Sequence, residues 1–223
     1  MNVYSTEEEQ LQAIQNWFKK YAKLIFISLA VIAVCVGTWN FKHVRNIAYV
    51  ENASILYEKF QTATTDEDLT GLAEQLSSNY YDSVYGKIAK LYLVNKKAAD
   101  QKWSEMADEY QVLFKNSGEW TDLQIIVFEN WIRALLESNQ IEAAHQQIIA
   151  TENNKLVSLY PLNFFNLKGD VLAKLQKNQD AIDSYNKAVD SISDNQQMQQ
   201  QTAQFLNWIL LKRNDLLAAK PLA

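Results

Sequence analysis

The chain has 223 residues, a formal net charge of −5, one cysteine, five glycines and two prolines. A single cysteine excludes a disulfide framework within the chain, and an acidic chain without basic clusters lacks the electrostatic basis of nucleic-acid binding. Few helix breakers, together with abundant alanine, leucine, glutamine, lysine and glutamate, predict an all-α protein.

Residues 5–23 predict a short amphipathic helix ahead of the first apolar run. Ser5 with Glu8, or Thr6 with Glu9, has the spacing of a capping box at a helix start. Two interpretations stay open. The segment is either an interfacial helix that leads into a membrane or an extension of the helix that follows it.

Residues 24–41, LIFISLAVIAVCVGTWNF, contain no charged side chain. As a helix this run would be about 27 Å long at 1.5 Å per residue. That length is close to the hydrocarbon thickness of a bilayer. The run therefore predicts a single N-terminal transmembrane helix in contact with the lipid bilayer.

Three alternatives to a transmembrane anchor are a cleaved signal peptide, a lipoprotein signal and a buried core helix. A long lead-in with acidic residues 7–9 and no small-residue cleavage pattern disfavour cleavage. Val34 precedes Cys35, where lipoprotein processing needs a small residue. Cationic flanks on both sides disfavour a core helix. An uncleaved anchor with a cytoplasmic N-terminus fits best, although three lysines before the run against Lys42 and Arg45 after it are a thin charge bias.

Residues 42–223 predict one domain of successive helices. Thr65 or Asp66 can cap the second helix, Pro161 suits a first helical turn, and Asn178 can take left-handed geometry between two helices. The predicted helices span about 47–61, 67–77, 82–96, 121–138, 141–151, 161–175, 179–191 and 195–218, and one more follows Asp100, with Trp103, Met106, Tyr110 and Phe114 at helical spacing.

The predicted helices pair into a repeat. Ala107, Ala144 and Ala181 are spaced 37 residues apart, early in successive second helices. Small residues are needed where two helices cross closely, and large ones fill the space between repeats. The best unit, residues 165–195, matches the tetratricopeptide pattern at Phe165, Gly169, Leu172, Ala181, Tyr185 and Ala188.

The match is incomplete. Lys168 stands where leucine is usual, and Ser193 where proline is usual. The preceding unit keeps Phe128, Leu135, Ala144 and Ile148 but has no matching glycine. An irregular helical bundle is the alternative to a repeat array.

Patterns for catalysis or metal binding are missing from the sequence. His43 and His145 have no partner at metal-ligand spacing, and no phosphate loop, nucleophile elbow or H-E-x-x-H motif occurs. The acidic residues 66–68 could be read as a metal site, but acids in the first turn of a helix complement its dipole. The sequence predicts a protein without enzymatic activity, metal or cofactor.

A helical-repeat array presents a concave face lined by the first helix of each pair. In the better units this face would include Glu129, Arg133, Asn166 and Asp170. These residues are candidate peptide contacts. The alternative is that they are ordinary solvated polar positions.

Four short segments keep a particular order relative to the apolar run: VYSTEEEQ at 3–10, ASILY at 53–57, YGKIA at 85–89 and LKGD at 167–170. In this order the chain resembles the ancillary subunit family of the bacterial SecYEG translocon, the YfgM-like tetratricopeptide membrane proteins. The likeness covers nearly the whole chain and fades after about Asn214.

The resemblance implies an inner-membrane protein with a cytoplasmic segment at 1–23, a span at 24–41 and a periplasmic tetratricopeptide-like domain at 42–223. It implies three protein partners: the SecYEG translocon, a membrane-anchored periplasmic chaperone of the peptidyl-prolyl isomerase type, and secretory protein clients. The implied role is non-catalytic assistance to translocation and folding. Two alternatives stay open, a scaffold for another envelope complex such as the cell-division or secretion machinery, and an enzyme that uses paired carboxylates.

Overall fold

A computed structural model describes the backbone of residues 7–117, 121–193 and 195–218. Side chains are described at Leu11 and, within those ranges, from Cys35 onward except at Thr121 and Gln196. Most of the described residues are helical, and none of them lies in a strand. The all-α prediction is therefore confirmed for the part of the chain that the structure covers.

The helices follow one another with short connections. A 3₁₀ turn at Lys97–Asp100 lies between the third and fourth helices. The helices are α1 (Glu7–Thr62), α2 (Asp66–Asn79), α3 (Val84–Lys96), α4 (Trp103–Asn116), α5 (Thr121–Glu137), α6 (Ile141–Thr151), α7 (Lys155–Leu159), α8 (Pro161–Lys174), α9 (Asn178–Asp190), α10 (Gln196–Gln201) and α11 (Ala203–Ala218).

The chain divides into two compact units, Met1–Ile55 and Leu56–Ala223. Most of α1 makes up the first unit, and every described side chain from Cys35 to Ala48 is exposed. Large apolar side chains are among them, with Trp39 78% exposed and Phe41 63% exposed. This part of α1 therefore presents apolar surface that no described residue covers.

The predicted anchor at 24–41 falls mainly on residues whose side chains lie outside the description, as does the predicted capping box at Ser5–Glu9. Among the described residues, none of the helices offers an apolar stretch long enough to cross a membrane. The backbone of 24–41 is helical and continues without a break into the predicted separate helix at 47–61.

The second unit contains three helix pairs, α3–α4, α5–α6 and α8–α9, that turn in the same way. Each turn holds one residue in the left-handed conformation: Gln101 (φ 57°), Asn139 (φ 59°) and Gln176 (φ 60°). The next residue donates its N–H to the carbonyl five positions earlier, at 3.2, 2.7 and 3.0 Å respectively. This bond closes α5 and α8 in their pairs, and in α3–α4 it closes the 3₁₀ turn that follows α3. One turn geometry therefore recurs along the chain at nearly constant spacing.

Several predicted helix ends are confirmed. Thr65 caps α2 by accepting the N–H of Asp68 at 3.1 Å, and Pro161 is the first residue of α8. The acids of residues 66–68 lie in the first turn of α2, as the dipole interpretation expects. No cluster of metal-ligating residues occurs in the described part of the chain.

Other predictions about the helix ends are wrong. Asn178 is not left-handed. The N–H of Lys177 donates to the Leu172 carbonyl at the end of α8, and the left-handed residue is the one before Lys177, which is Gln176. The predicted helix at 195–218 is two helices. Thr202 separates them and donates its hydroxyl to the Met198 carbonyl at 2.7 Å. That side-chain bond competes with continuation of the helix.

Three hydrophobic clusters hold the second unit together. The first joins the end of α1 to α2 and α3, with the Phe60 and Tyr92 rings edge to face at 5.2 Å. The central cluster joins α3–α6 and α8, where the fully buried rings of Phe128 and Phe164 stack at 6.3 Å. The last cluster joins α8, α9 and α11 around Tyr185 and Ile209. Each cluster links neighbouring helix pairs, which is how a solenoid builds a continuous core.

The left-handed residue Gln176 leads to a stability prediction. Glycine adopts this conformation without the clash between Cβ and the following carbonyl. We expect Gln176→Gly to stabilise the chain by about 0.5–1 kcal/mol. Gln146→Gly, at an exposed position inside α6, should instead destabilise it by about 1 kcal/mol. Urea unfolding of both variants measures the difference, and a loss of stability in Gln176→Gly would contradict the turn geometry.

Candidate functional site

Residues of α5, α8 and α11, together with Tyr185 of α9, line an open groove of about 550 Å³. This volume lies within the range of ligand-binding clefts. The apolar lining consists of Leu136, Ala173, Tyr185, Trp208 and Leu216. The charged lining consists of Arg133, Glu137, Asp170, Lys174, Lys212 and Asp215.

The lining of the groove depends on a close crossing of α8 and α9. Gly169 is buried on α8, and a β-carbon there would lie 2.6 Å from Cδ1 of Tyr185. The absence of a side chain at Gly169 lets the Tyr185 ring pack closely against α8. The Tyr185 hydroxyl then donates to Oδ1 of Asp170 at 2.7 Å. The repeat glycine therefore places both a buried ring and a carboxylate in the groove.

Lys212 brings α11 onto this pair. Its Nζ lies 2.5 Å from Oδ1 of Asp170 and 2.6 Å from Oδ1 of Asn166. The same ammonium lies 3.6 Å from the centre of the Trp208 ring and 4.9 Å from that of Tyr185. Cation–π contacts of this kind strengthen when they are shielded from water. Lys212 thus ties α11 to α8 by an ion pair and a hydrogen bond, and to α9 through the Tyr185 ring, while the Trp208 ring of its own helix also contacts the ammonium.

Burial governs the protonation of this cluster. Burial lowers the pKa of the Lys212 ammonium, and the Asp170 carboxylate opposes that shift. Burial also raises the pKa of the Tyr185 phenol, and the neighbouring Asp170 charge raises it further. The arrangement therefore keeps the Tyr185 hydroxyl neutral, so that it donates to the carboxylate.

The structure brings two of the four predicted peptide contacts into the groove, since Arg133 and Asp170 both line it. Arg133 is exposed and makes a loose ion pair with Glu129 at 3.8 Å. Glu129 itself accepts a hydrogen bond from Asn163 at 2.7 Å, between α5 and α8. Asn166 is only 1% exposed and lies beneath Lys212. A bound peptide could therefore reach Arg133 directly, while Asn166 supports the α8–α11 contact.

The six predicted repeat-packing residues lie at the interface of α8 with its neighbours. Phe165 is half-buried, and the Lys187 ammonium lies 5.8 Å from its ring centre. The remaining five, Gly169, Leu172, Ala181, Tyr185 and Ala188, are buried. In the pair α3–α4 the alanine is shifted by one residue. Ala144 and Ala181 each lie five residues after the left-handed residue of their turn, whereas in the first pair that position is Met106 and Ala107 follows it.

Sequence reasoning did not find Trp208 and Lys212. Lys212 pairs with a carboxylate 42 residues away, which no local spacing indicates. A weak signal was present, because Trp208 and Lys212 are four residues apart and so share one side of a helix. The groove is therefore completed by side chains whose pairing across the chain the sequence pattern does not show.

The buried tyrosines predict a loss of stability at alkaline pH. Burial raises the pKa of Tyr110 to about 12, and that of Tyr185 is raised for the same reason. An unfolded tyrosine ionises near pH 10. The folded state therefore holds more protons than the unfolded state above pH 10, and its stability falls as pH rises. We expect each tyrosine to contribute a slope of about 1.4 kcal/mol per pH unit.

Urea unfolding between pH 9 and pH 11.5 measures this slope. Tyr110→Phe should reduce it, whereas Tyr81→Phe, at an exposed position, should leave it unchanged. An equal slope in wild type and Tyr110→Phe would show that the phenol of Tyr110 is not held neutral by burial.

Comparison with known proteins agrees with the recurring helix pairs. A family model described as a tetratricopeptide repeat-like domain matches residues 15–215. No curated protein and no solved structure gives a match. Domains of this type are typically non-catalytic scaffolds for protein interaction, with partners bound on a concave surface. Because the family model matches most of its length, the chain belongs to the tetratricopeptide repeat-like domain family.

Proposed function

We propose that this chain is a membrane-tethered, non-catalytic interaction protein that binds segments of partner proteins in the groove between α5, α8 and α11. The observation that carries the proposal is the groove itself. It is lined by α5 and α8, which are the first helices of successive pairs, together with α11 and Tyr185 of α9, and it joins two aromatic rings to three cationic and three acidic side chains. Mixed charges around apolar surface suit a polypeptide segment, which offers apolar, charged and backbone groups together.

The membrane tether is supported by the sequence and by the exposure of α1. The uncharged run at 24–41 ends with Trp39 and Phe41, which are exposed apolar side chains of the kind that anchor a helix at an interface. Lys42 follows the apolar run directly, and the Arg45 guanidinium lies 5.6 Å from the centre of the Phe41 ring, so cations stand at this end of the run. A tether raises the local concentration of a weak binding surface.

The proposed location and partners rest on the family resemblance. The N-terminus would lie in the cytoplasm and the repeat domain in the periplasm of a bacterial inner membrane. The partners would be the SecYEG translocon, a membrane-anchored peptidyl-prolyl isomerase-type chaperone and emerging secretory chains. The groove would then contact these proteins while translocation and folding proceed.

Co-purification from gently solubilised membranes tests the partners. We expect the wild-type chain to recover translocon or chaperone components. Ala173→Trp, which fills the groove, should reduce that recovery at least fivefold. Ala150→Trp is the control, because Ala150 is exposed on α6 outside the groove lining. Recovery of a cell-division or secretion complex instead would favour the alternative scaffold, and equal recovery by both variants would place binding elsewhere.

Protease access tests the orientation. We expect digestion of the repeat domain in spheroplasts but not in intact cells. Protection until the inner membrane is lysed would reverse the proposed topology.

A further inference from the structure

Another cavity, of about 260 Å³, lies where α4 meets α3 and the connection that follows α2. We call it the α3–α4 pocket. Its lining consists of Tyr81, Lys90, Asp108, Glu109, Val112 and Leu113, and none of these residues also lines the groove. Clefts that hold whole small molecules usually measure about 300–1,000 Å³. The pocket is smaller than that, so its size suits a single side chain.

The apolar part of the pocket is open to an incoming group. Leu113 is buried, whereas Tyr81 is 41% exposed and Val112 is 56% exposed. The side chain of Tyr81 makes no hydrogen bond or ring contact with any residue that the structure describes. An aromatic ring and an aliphatic side chain therefore stand beside the cavity with surface still to be covered.

The charges around the pocket are paired except at Asp108. The Lys90 ammonium lies 2.5 Å from Oε2 of Glu109, and Lys97 bonds the other oxygen of the same carboxylate. Lys97 also pairs with Glu105 at 3.2 Å. Asp108 is exposed, and its side chain makes no ion pair or hydrogen bond within the described part of the chain. These five side chains therefore carry one net negative charge, which lies at Asp108.

We propose that the α3–α4 pocket binds an arginine side chain of a partner protein. The apolar stem of the arginine lies against Val112 and Leu113, and its guanidinium lies on the Tyr81 ring and pairs with Asp108. A guanidinium is planar, stacks on aromatic rings and offers a carboxylate two parallel hydrogen bonds, whereas an ammonium is a point charge. The pocket therefore has a contact for each part of an arginine side chain.

The charges favour a protein side chain over other occupants. Nucleic acids and anionic lipid surfaces are negative, and the Asp108 carboxylate repels them. Free arginine would need a cation for its own carboxylate, but the Lys90 ammonium of the pocket is already bound to Glu109. Lys115 is seven residues after Asp108, about 10 Å further along α4, and does not pair with it. Arginine is also among the residues that contribute most to protein interfaces.

Saturation-transfer NMR on the full chain in phosphatidylcholine vesicles tests the proposal. The probes are the N-acetyl methylamides of arginine, lysine and citrulline, and citrulline has the shape of arginine without its charge. After subtraction of protein-free vesicles, we expect transfer to the arginine compound to be at least threefold greater than to either of the others. Equal transfer to arginine and citrulline, or to arginine and lysine, would overturn the proposal. Greater transfer to free arginine than to its blocked form would overturn the assignment to a protein side chain.

Variants of the pocket locate the binding. Asp108→Asn and Tyr81→Leu should each lower transfer to the arginine compound to the level of citrulline, whereas Tyr81→Phe keeps the ring and should retain it. Asp190→Asn, at an exposed position on α9, is the matched control and should leave transfer unchanged. The loss in Asp108→Asn should also occur when Ala173→Trp fills the groove, so the result does not depend on the proposed function. Equal transfer in Asp108→Asn and Asp190→Asn would overturn the proposal.

Discussion

Gly169→Ala should destabilise the chain by about 2 kcal/mol or more, because the added methyl group overlaps the buried ring of Tyr185. Alanine normally stabilises a helix interior relative to glycine by about 0.5–1 kcal/mol. The predicted loss of stability is therefore opposite in sign to the effect that the helix propensity of alanine alone would give. Its cause is the close crossing of α8 and α9, where Tyr185 is 1% exposed and cannot move aside without leaving the core.

Gly71→Ala is the matched control for this prediction. Gly71 is also inside a helix, α2, but nothing lies within 4 Å of where its β-carbon would be. We expect Gly71→Ala to stabilise the chain by about 0.5–1 kcal/mol. Urea unfolding of both variants gives the comparison. Similar changes in the two would mean that α8 and α9 do not cross as closely as described.

Lys212→Ala is expected to cost about 2 kcal/mol, the range of a hydrogen bond to a charged group when its partner is left unsatisfied. The variant removes the ammonium from Asp170, Asn166 and the two aromatic rings. Lys212→Met should recover part of the loss, because it keeps an unbranched apolar stem against Trp208. The result separates packing of the side chain from its charge.

A double-mutant cycle with Asp170→Asn isolates the ion pair. We expect a coupling free energy of about 1–2 kcal/mol for Lys212 with Asp170. The control pair is Lys96 with Asp66, which are 2.6 Å apart but exposed. Exposed pairs are screened by water and couple weakly. Equal coupling in the two cycles would contradict the enclosed position of Lys212.

The repeat architecture could be predicted because it depends on local spacing. Alanines at constant intervals and the glycine at position 169 mark close helix crossings, and both the recurring turn and the family match confirm a repeat fold. The left-handed residue at Gln176 could not be predicted in the same way. Glutamine has no special preference for that conformation. Position 176 is left-handed because the N–H of the next residue, Lys177, bonds to the Leu172 carbonyl at the end of α8.

The groove itself was only partly predictable. Arg133 and Asp170 were placed on the concave side by analogy with repeat arrays, and both line the groove. The contribution of α11 depends on contacts between residues far apart in the chain, such as Lys212 with Asp170. Helical periodicity describes one helix at a time and does not specify which distant helix will cover it. The burial of Asn166 beneath Lys212 could not be predicted for the same reason.

Site-specific photo-crosslinking in living bacteria tests the central claim most directly. A photoreactive residue at Arg133 reports on the groove, and one at Gln146, exposed on α6, reports on a surface outside it. We predict cross-links to translocon, chaperone or secretory proteins from position 133 and few or none from position 146. Cross-links of equal yield from both positions, or from position 146 alone, would contradict the proposal that the groove between α5, α8 and α11 binds partner proteins.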